Sequence, residues 1–347
     1  MRRATALVLV GWALMACGPA PAASAPPPAA ASPPQAAAGP APPVRTALRV
    51  TNTGHSGNSM MPWLIWASGA FDKYGLDVGE VADLPSSTTS VQVLISRDAD
   101  VINVSANPAV EASLKGADLV MIADSPPGTG YWLYAAPDVH SVDDLRGQLI
   151  GANQVGSSSY FAVDYALRDR GMLVGRDYDV LTVGSTEAQF AALQQGKVKA
   201  VPLSSPATLL ARRAGFVELY DLNGVPFNAG GPVVRREMLD DPAGRDALLR
   251  YVQAMVETIA RFRQDRPFAL QLLGRYFETD DMEILDDLYQ AYLPKRVPLV
   301  VPEGIPPVLE SIAPRDPSAR DADPRRFYDN SLVEQLQASG FIDALYR

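Results

Sequence analysis

From residue 47 onward, short β-branched runs alternate with stretches whose apolar positions recur at helical spacing. Residues 48–51 predict a strand, followed by a small polar loop over 52–59 and a helix that sets Leu64, Ile65 and Phe71 on one face. Residues 78–81 predict a second strand, and 86–90 open a helix that runs on through Val91 and Leu94. Residues 100–104 and 119–123 predict two more strands. The order then starts again, with a strand at 148–151, a polar loop at 153–159, a helix at 160–170, a strand at 180–183, a helix at 186–195 and a strand at 200–203. The halves lie 99 residues apart, which sets Gly57 on Gly156, Ser59 on Ser158, Leu94 on Leu193 and Ser105 on Ser204. Identity between them is scarcely above chance, so the shared order of elements is the signal. It predicts two similar α/β lobes built on doubly wound parallel sheets. After about Pro232 the pattern turns helical, over 246–263, 267–277, 280–292 and 331–345. With no strand of its own, this tail must pack on a lobe already formed.

The start of the chain is different in kind. Arg2 and Arg3 precede an uncharged apolar run over 4–16, too short for a bilayer-spanning helix of roughly 20 residues. That is the pattern of a secretory signal. It ends Leu14-Met15-Ala16-Cys17, which resembles the lipobox of bacterial lipoproteins and implies acylation at Cys17, the sole cysteine. Residues 18–44 are almost all alanine and proline, with no charge between Cys17 and Arg45. Such a segment favours extended polyproline II and predicts a spacer between membrane and folded body.

Composition narrows the function. The 347 residues suffice for two domains or two lobes. A net charge of -9 argues against a nucleic-acid partner, which wants a dense basic surface. One cysteine excludes an intramolecular disulfide or a thiolate cluster, and two histidines leave little for a metal centre. Neither a cofactor nor a metal is expected.

In open parallel sheets small molecules bind beyond the carboxyl ends of the strands, beside helix N-termini whose unpaired N–H groups carry partial positive charge. Six loops at such positions are rich in small hydroxyl and amide residues: Asn52, His55, Asn58 and Ser59; Ser87 and Thr88; Ser105 and Asn107; Asn153, Ser157, Ser158, Ser159 and Tyr160; Ser185 and Thr186; Ser204 and Ser205. Each alone reads as an ordinary N-cap. Together, on one side of two lobes, they predict a ligand cleft. Three successive hydroxyls at 157–159 exceed what one cap requires. Trp63, Trp132, Tyr160 and Phe227 are available as apolar walls, and no lysine or arginine occurs in these loops.

Several segments carry a resemblance. Ala67-Ser68-Gly69-Ala70-Phe71-Asp72-Lys73-Tyr74-Gly75-Leu76-Asp77-Val78 resembles the segment after the first helix in solute-binding proteins of nitrate/sulfonate/taurine-type ABC importers, a group that includes binders of thiamine pyrimidine precursors. Leu145-Arg146-Gly147-Gln148-Leu149-Ile150-Gly151 is similar to the start of the family's second lobe. Ala192-Leu193-Gln194-Gln195-Gly196-Lys197-Val198-Lys199-Ala200 resembles its helix-to-strand step, and the stretch from Phe327 to Asp343 its closing helix. Lys199 stands where the family usually has an aspartate, and Ser204-Ser205-Pro206 replaces a bulkier cleft segment.

The resemblance implies a two-lobed type II periplasmic-binding-protein fold, with C-terminal helices on lobe 1 and hinge crossings near 134–139 and 226–234. The expected organisation is a signal peptide at 1–16, the lipidated linker at 17–45, lobe 1 at 46–135 and 232–347, and lobe 2 at 136–231. The function implied is capture of a small organic solute for an ABC permease. The protein would be a monomer outside the cytoplasm, in the periplasm or at the cell surface, anchored through Cys17. Two alternatives are a biosynthetic lyase or synthase on the same fold, and a binding module feeding a sensor. Against catalysis, no G-x-S-x-G, H-E-x-x-H or G-x-x-x-x-G-K motif occurs.

Overall fold

A computed structural model describes residues 45–125, 130–293 and 297–346. The expected signal, Cys17 and residues 18–44 lie outside the described residues. The chain opens with β1 (Thr46–Ala47), β2 (Val50–Thr53), α1 (Met61–Ala67), α2 (Ala70–Lys73) and β3 (Leu76–Asp77). It continues through β4 (Ala82–Leu84), α3 (Ser87–Ile95), β5 (Val101–Val104), α4 (Ala106–Leu114) and β6 (Leu119–Met121). A second series follows: β7 (Trp132–Ala135), β8 (Leu149–Ala152), α5 (Ser158–Arg168), β9 (Asp179–Thr182), α6 (Thr186–Gln194), β10 (Ala200–Leu203), α7 (Ala207–Arg213) and β11 (Val217–Asp221). The chain then forms β12 (Gly231–Arg235), α8 (Glu237–Asp240), α9 (Pro242–Gln264), α10 (Arg266–Tyr276), α11 (Met282–Tyr292), α12 (Ile305–Ile312), α13 (Ser331–Ala338) and α14 (Phe341–Leu345).

Two five-stranded sheets result, ordered β4-β2-β5-β12-β6 and β11-β7-β10-β8-β9. The repeat read from the sequence is present in the backbone, because β2 and β8, α3 and α6, and β5 and β10 each stand 99 residues apart. The sheets are not wholly parallel. β12 runs antiparallel to β5 and β6, and β7 runs antiparallel to β10 and β11. Each is the strand by which the chain arrives from the other lobe, so it enters its sheet in the opposite direction.

This relocates the expected lobe boundary. Trp132–Ala135, placed at the end of lobe 1 in the sequence reading, belongs to the second sheet, so the first crossing lies between β6 and β7 and upstream of 134–139. The return crossing lies between β11 and β12, and Gly231 already pairs with Val104 in the first sheet. Asn228, fully buried there, ties the return crossing to the loop before α12: its Oδ1 accepts from Val301 N at 2.9 Å and its Nδ2 donates to Val301 O at 3.1 Å.

Burial explains why these elements form. β5 is buried on both faces, as a central strand between helical layers should be. The 23-residue α9 turns Leu248, Val252, Met255 and Ile259 toward Ile65, Phe71, Leu76 and Val101 of the first lobe. α13 and α14 join that core through Leu332, Val333, Leu336 and Ile342, and α10 and α11 pack on α1 through Leu273, Leu288 and Leu64. α12 departs from the expected packing on lobe 1 alone, because it lies against both α4 and α5 and so touches both lobes. The architecture is the two-lobed periplasmic-binding-protein fold.

Candidate functional site

Four helices, two from each lobe, direct their N-termini at one cleft. Ser86 caps α3 by accepting from Thr89 N at 3.1 Å, and Ser185 caps α6 by accepting from Ala188 N at 3.3 Å. Ser157 caps α5 by accepting from Tyr160 N at 3.2 Å. Ser105 stands at the start of α4, yet its hydroxyl makes no capping bond. All four serines line a cavity of about 160 Å³. The cap reading and the ligand reading of these loops are therefore compatible: capping consumes part of three of these termini, and all four keep further first-turn N–H groups without a helical partner.

The first lobe supplies Thr53, His55, Ser56, Asn58, Ser59, Ser87 and Asn103, and Gly230 of the return crossing closes the floor. At Gly230 a Cβ would lie 2.3 Å from Asn58 O, so only glycine admits the backbone this close. Ser59 is anchored by donating to Gly54 O at 2.8 Å. Asn103 Nδ2 donates to Ser59 O at 3.3 Å. Asn103 Oδ1 and Ser105 Oγ have no hydrogen-bond partner among the described residues, although both side chains are more than nine-tenths buried. Buried polar atoms in native proteins are nearly always paired, so these two cavity-lining atoms are left with hydrogen-bonding capacity to offer.

The second lobe supplies Asn153, Ser157, Ser158, Ser159, Thr186, Glu187 and Gln189. Ser159 is structural as much as available: it accepts from Asn153 N at 3.2 Å and donates to Gln189 Oε1 at 3.0 Å. Ser158 is the more exposed of the pair and exchanges a hydrogen bond with the Tyr131 hydroxyl at 3.2 Å. Tyr131 also meets the Asn58 side chain, so its phenol spans both lobes. Burial raises the pKa of Tyr131 and pushes that of Tyr276 up to about 12, which keeps both phenols protonated.

Of the residues picked from sequence, His55, Asn58, Ser59, Ser87, Ser105, Ser157, Ser158 and Ser159 line this cavity. Asn52 is fully buried beneath it and donates to Asp83 and to the Tyr276 hydroxyl. Asn107 is buried within α4, and Tyr160 packs in the core with Arg315 over its ring. Thr88 accepts from Gln154 Nε2 at 2.8 Å, a bond between the lobes outside the cavity lining. Ser204 and Ser205 line a second chamber of about 140 Å³ that shares His55, Ser56, Thr186 and Glu187 with the first. Their hydroxyls face elsewhere, Ser204 to Tyr292 and Ser205 to Asp287 at 2.6 Å.

Sequence reading missed Asn103, Tyr131 and Gln189 as lining residues. Asn103 is hidden inside an apolar strand run, where a lone buried amide was the available signal. Among the described lining residues none is a lysine or arginine, and Glu187 sits exposed at the rim. His55 is held to the first lobe, stacked on Tyr276 with its ring nitrogens directed at Tyr276 O and Asp83. The arrangement suits binding through uncharged donors and acceptors.

No family model matches the sequence, and no curated protein matches it. Solved structures do match the fold. The alkanesulfonate-binding protein SsuA from Xanthomonas axonopodis pv. citri, bound to MOPS, superposes with a TM-score of 0.66 at 17% identity, covering 82% of this chain and 96% of that one. The periplasmic aliphatic sulphonate binding protein SsuA from Escherichia coli gives 0.61 at 20% identity, over 72% and 84%. The periplasmic nitrate-binding protein NrtA from Synechocystis PCC 6803 gives 0.64 at 13% identity, over 87% and 91%.

Proposed function

We propose that this chain is an extracytoplasmic solute-binding protein that captures a small polar solute between its lobes and presents it to an ABC permease. The observation that carries this reading is the convergence of four helix N-termini, two from each lobe, on one hydroxyl-lined cavity. A solute there would bond to Asn103 and Ser105 of the first lobe and to Ser158 of the second. Only contacts made to both lobes at once favour the closed arrangement over the open one. The structural neighbours support the reading, since proteins of this fold bind sulfonates and nitrate. The lipobox-like segment supports a lipid anchor at Cys17 followed by a proline-rich spacer, which would hold a monomeric body near its transporter.

The enzyme alternative is less well supported. Its best base, His55, has both ring nitrogens directed at lobe 1 groups instead of the cavity. The test is native mass spectrometry of the full chain after incubation with a small-molecule extract of its host. The reading expects one bound solute, released unchanged on denaturation. A chemically altered product would favour the enzyme, and no retained compound would contradict binding.

A further inference from the structure

The second chamber differs in chemistry from the cavity it adjoins. Phe190, Leu210, Pro206 and Ala207 of the second lobe face Phe277 of the first. The two hydroxyls at this end are already bonded to Tyr292 and Asp287, so they add little polarity to the chamber. Leu210 is 38% exposed there, while the other apolar residues of its helix are buried.

We infer that the solute carries a polar head for the hydroxyl-lined cavity and an apolar group about the size of a benzene ring for this chamber. Three observations converge. The chamber volume of about 140 Å³ is close to the ~150 Å³ of a dry apolar cavity that admits benzene. The two spaces share His55, Ser56, Thr186 and Glu187, so one molecule spans both. The chamber has walls from both lobes, so an apolar group in it adds to closure as well as to affinity. This inference rests on the solute-binding reading above and adds the class of solute.

Its test is calorimetric titration of the full chain with matched pairs: methanesulfonate and phenylmethanesulfonate, acetate and phenylacetate, acetamide and phenylacetamide. For at least one head group the phenyl member should bind about tenfold tighter or more, as burial of a ring predicts. Ala207→Leu, which fills the chamber, and Leu210→Gln, on an exposed position that tolerates exchange, should each remove that preference while leaving the short member's affinity unchanged. A short member that binds as well as its phenyl partner overturns the chamber and leaves solute binding standing. So does a phenyl preference that survives both substitutions. Failure of every member of every pair to bind overturns the chamber, and the solute-binding reading is then decided separately by the native mass spectrometry above.

Discussion

Arg212 of α7 donates to Asp287 of α11 at 2.7 Å, joining a helix of the second lobe to a helix packed on the first. The same carboxylate accepts from Ser205 Oγ at 2.6 Å, and the adjacent Arg213 pairs with Glu283 one turn earlier on α11. Two arginines thus meet two acids across the lobes without any ligand between them. On the solute-binding reading proposed above, these contacts form as the lobes close and lower the cost of closure that a solute must otherwise meet alone. Arg212→Ala with Arg213→Ala should weaken solute binding about three- to tenfold, in line with two partly exposed ion pairs. Raising the ionic strength of the wild type should do the same, and titration calorimetry at two salt concentrations checks both.

Ser158 and Ser159 should separate into different roles. Ser159 joins α5 to Gln189 and to the Asn153 backbone, so Ser159→Ala removes two hydrogen bonds inside the second lobe and should lower the melting temperature. Ser158 faces the cavity beside Tyr131, so Ser158→Ala should leave melting nearly unchanged and weaken binding about tenfold. The double substitution should cost one to two orders of magnitude in affinity. Melting curves and titrations on the three variants decide it.

Asn103 is expected to trade stability for binding. Its Oδ1 is buried without a partner, while Nδ2 makes one long bond. Asn103→Leu therefore loses little native hydrogen bonding and gains apolar burial in an otherwise apolar strand. Thermal stability should stay equal or rise, and solute affinity should fall about tenfold or more. A variant that binds normally would remove Asn103 from the site.

Alkaline pH should unfold the protein through its buried phenols. Burial pushes Tyr134 and Tyr276 up to about 12, whereas the same groups in the unfolded chain ionise near their ordinary value of 10. Between those values the native state holds protons that the unfolded state releases, so stability is complete below pH 10 and declines as pH rises toward 12. Phenolate absorbance should therefore show a late group of tyrosines that ionise together with loss of the helical signal. Ionisation of these phenols near pH 10 with the fold intact would contradict their burial.

The lobes and their repeat were legible because strand and helix periods recur with a constant offset, a property of local sequence. The crossings were not. Whether Trp132–Ala135 closes one sheet or enters the other depends on its partners Ala200–Leu203 and Val217–Asp221, which no local pattern names. α12 carries Pro306 and Pro307 in its first turn, where proline is compatible with a helix and bars only its interior, so the proline-rich stretch hides it from a periodicity reading. The expected last helix over 331–345 breaks at Gly340, whose φ of +76° ends α13 and starts α14. For the site, loop composition found most of the hydroxyls but not their direction. Asn52 lies under the cleft against Tyr276, and the hydroxyls of Ser204 and Ser205 face partners that only the folded chain brings near.

Solution scattering of the Arg212→Ala, Arg213→Ala variant, with and without the solute recovered from the host, tests most directly whether a guest draws the lobes together. With the cross-lobe ion pairs removed, the ligand-free variant should be more extended than the wild type, and saturating solute should return its radius of gyration to the wild-type, solute-bound value. Saturation confirmed by calorimetry with no decrease in that radius would contradict the account.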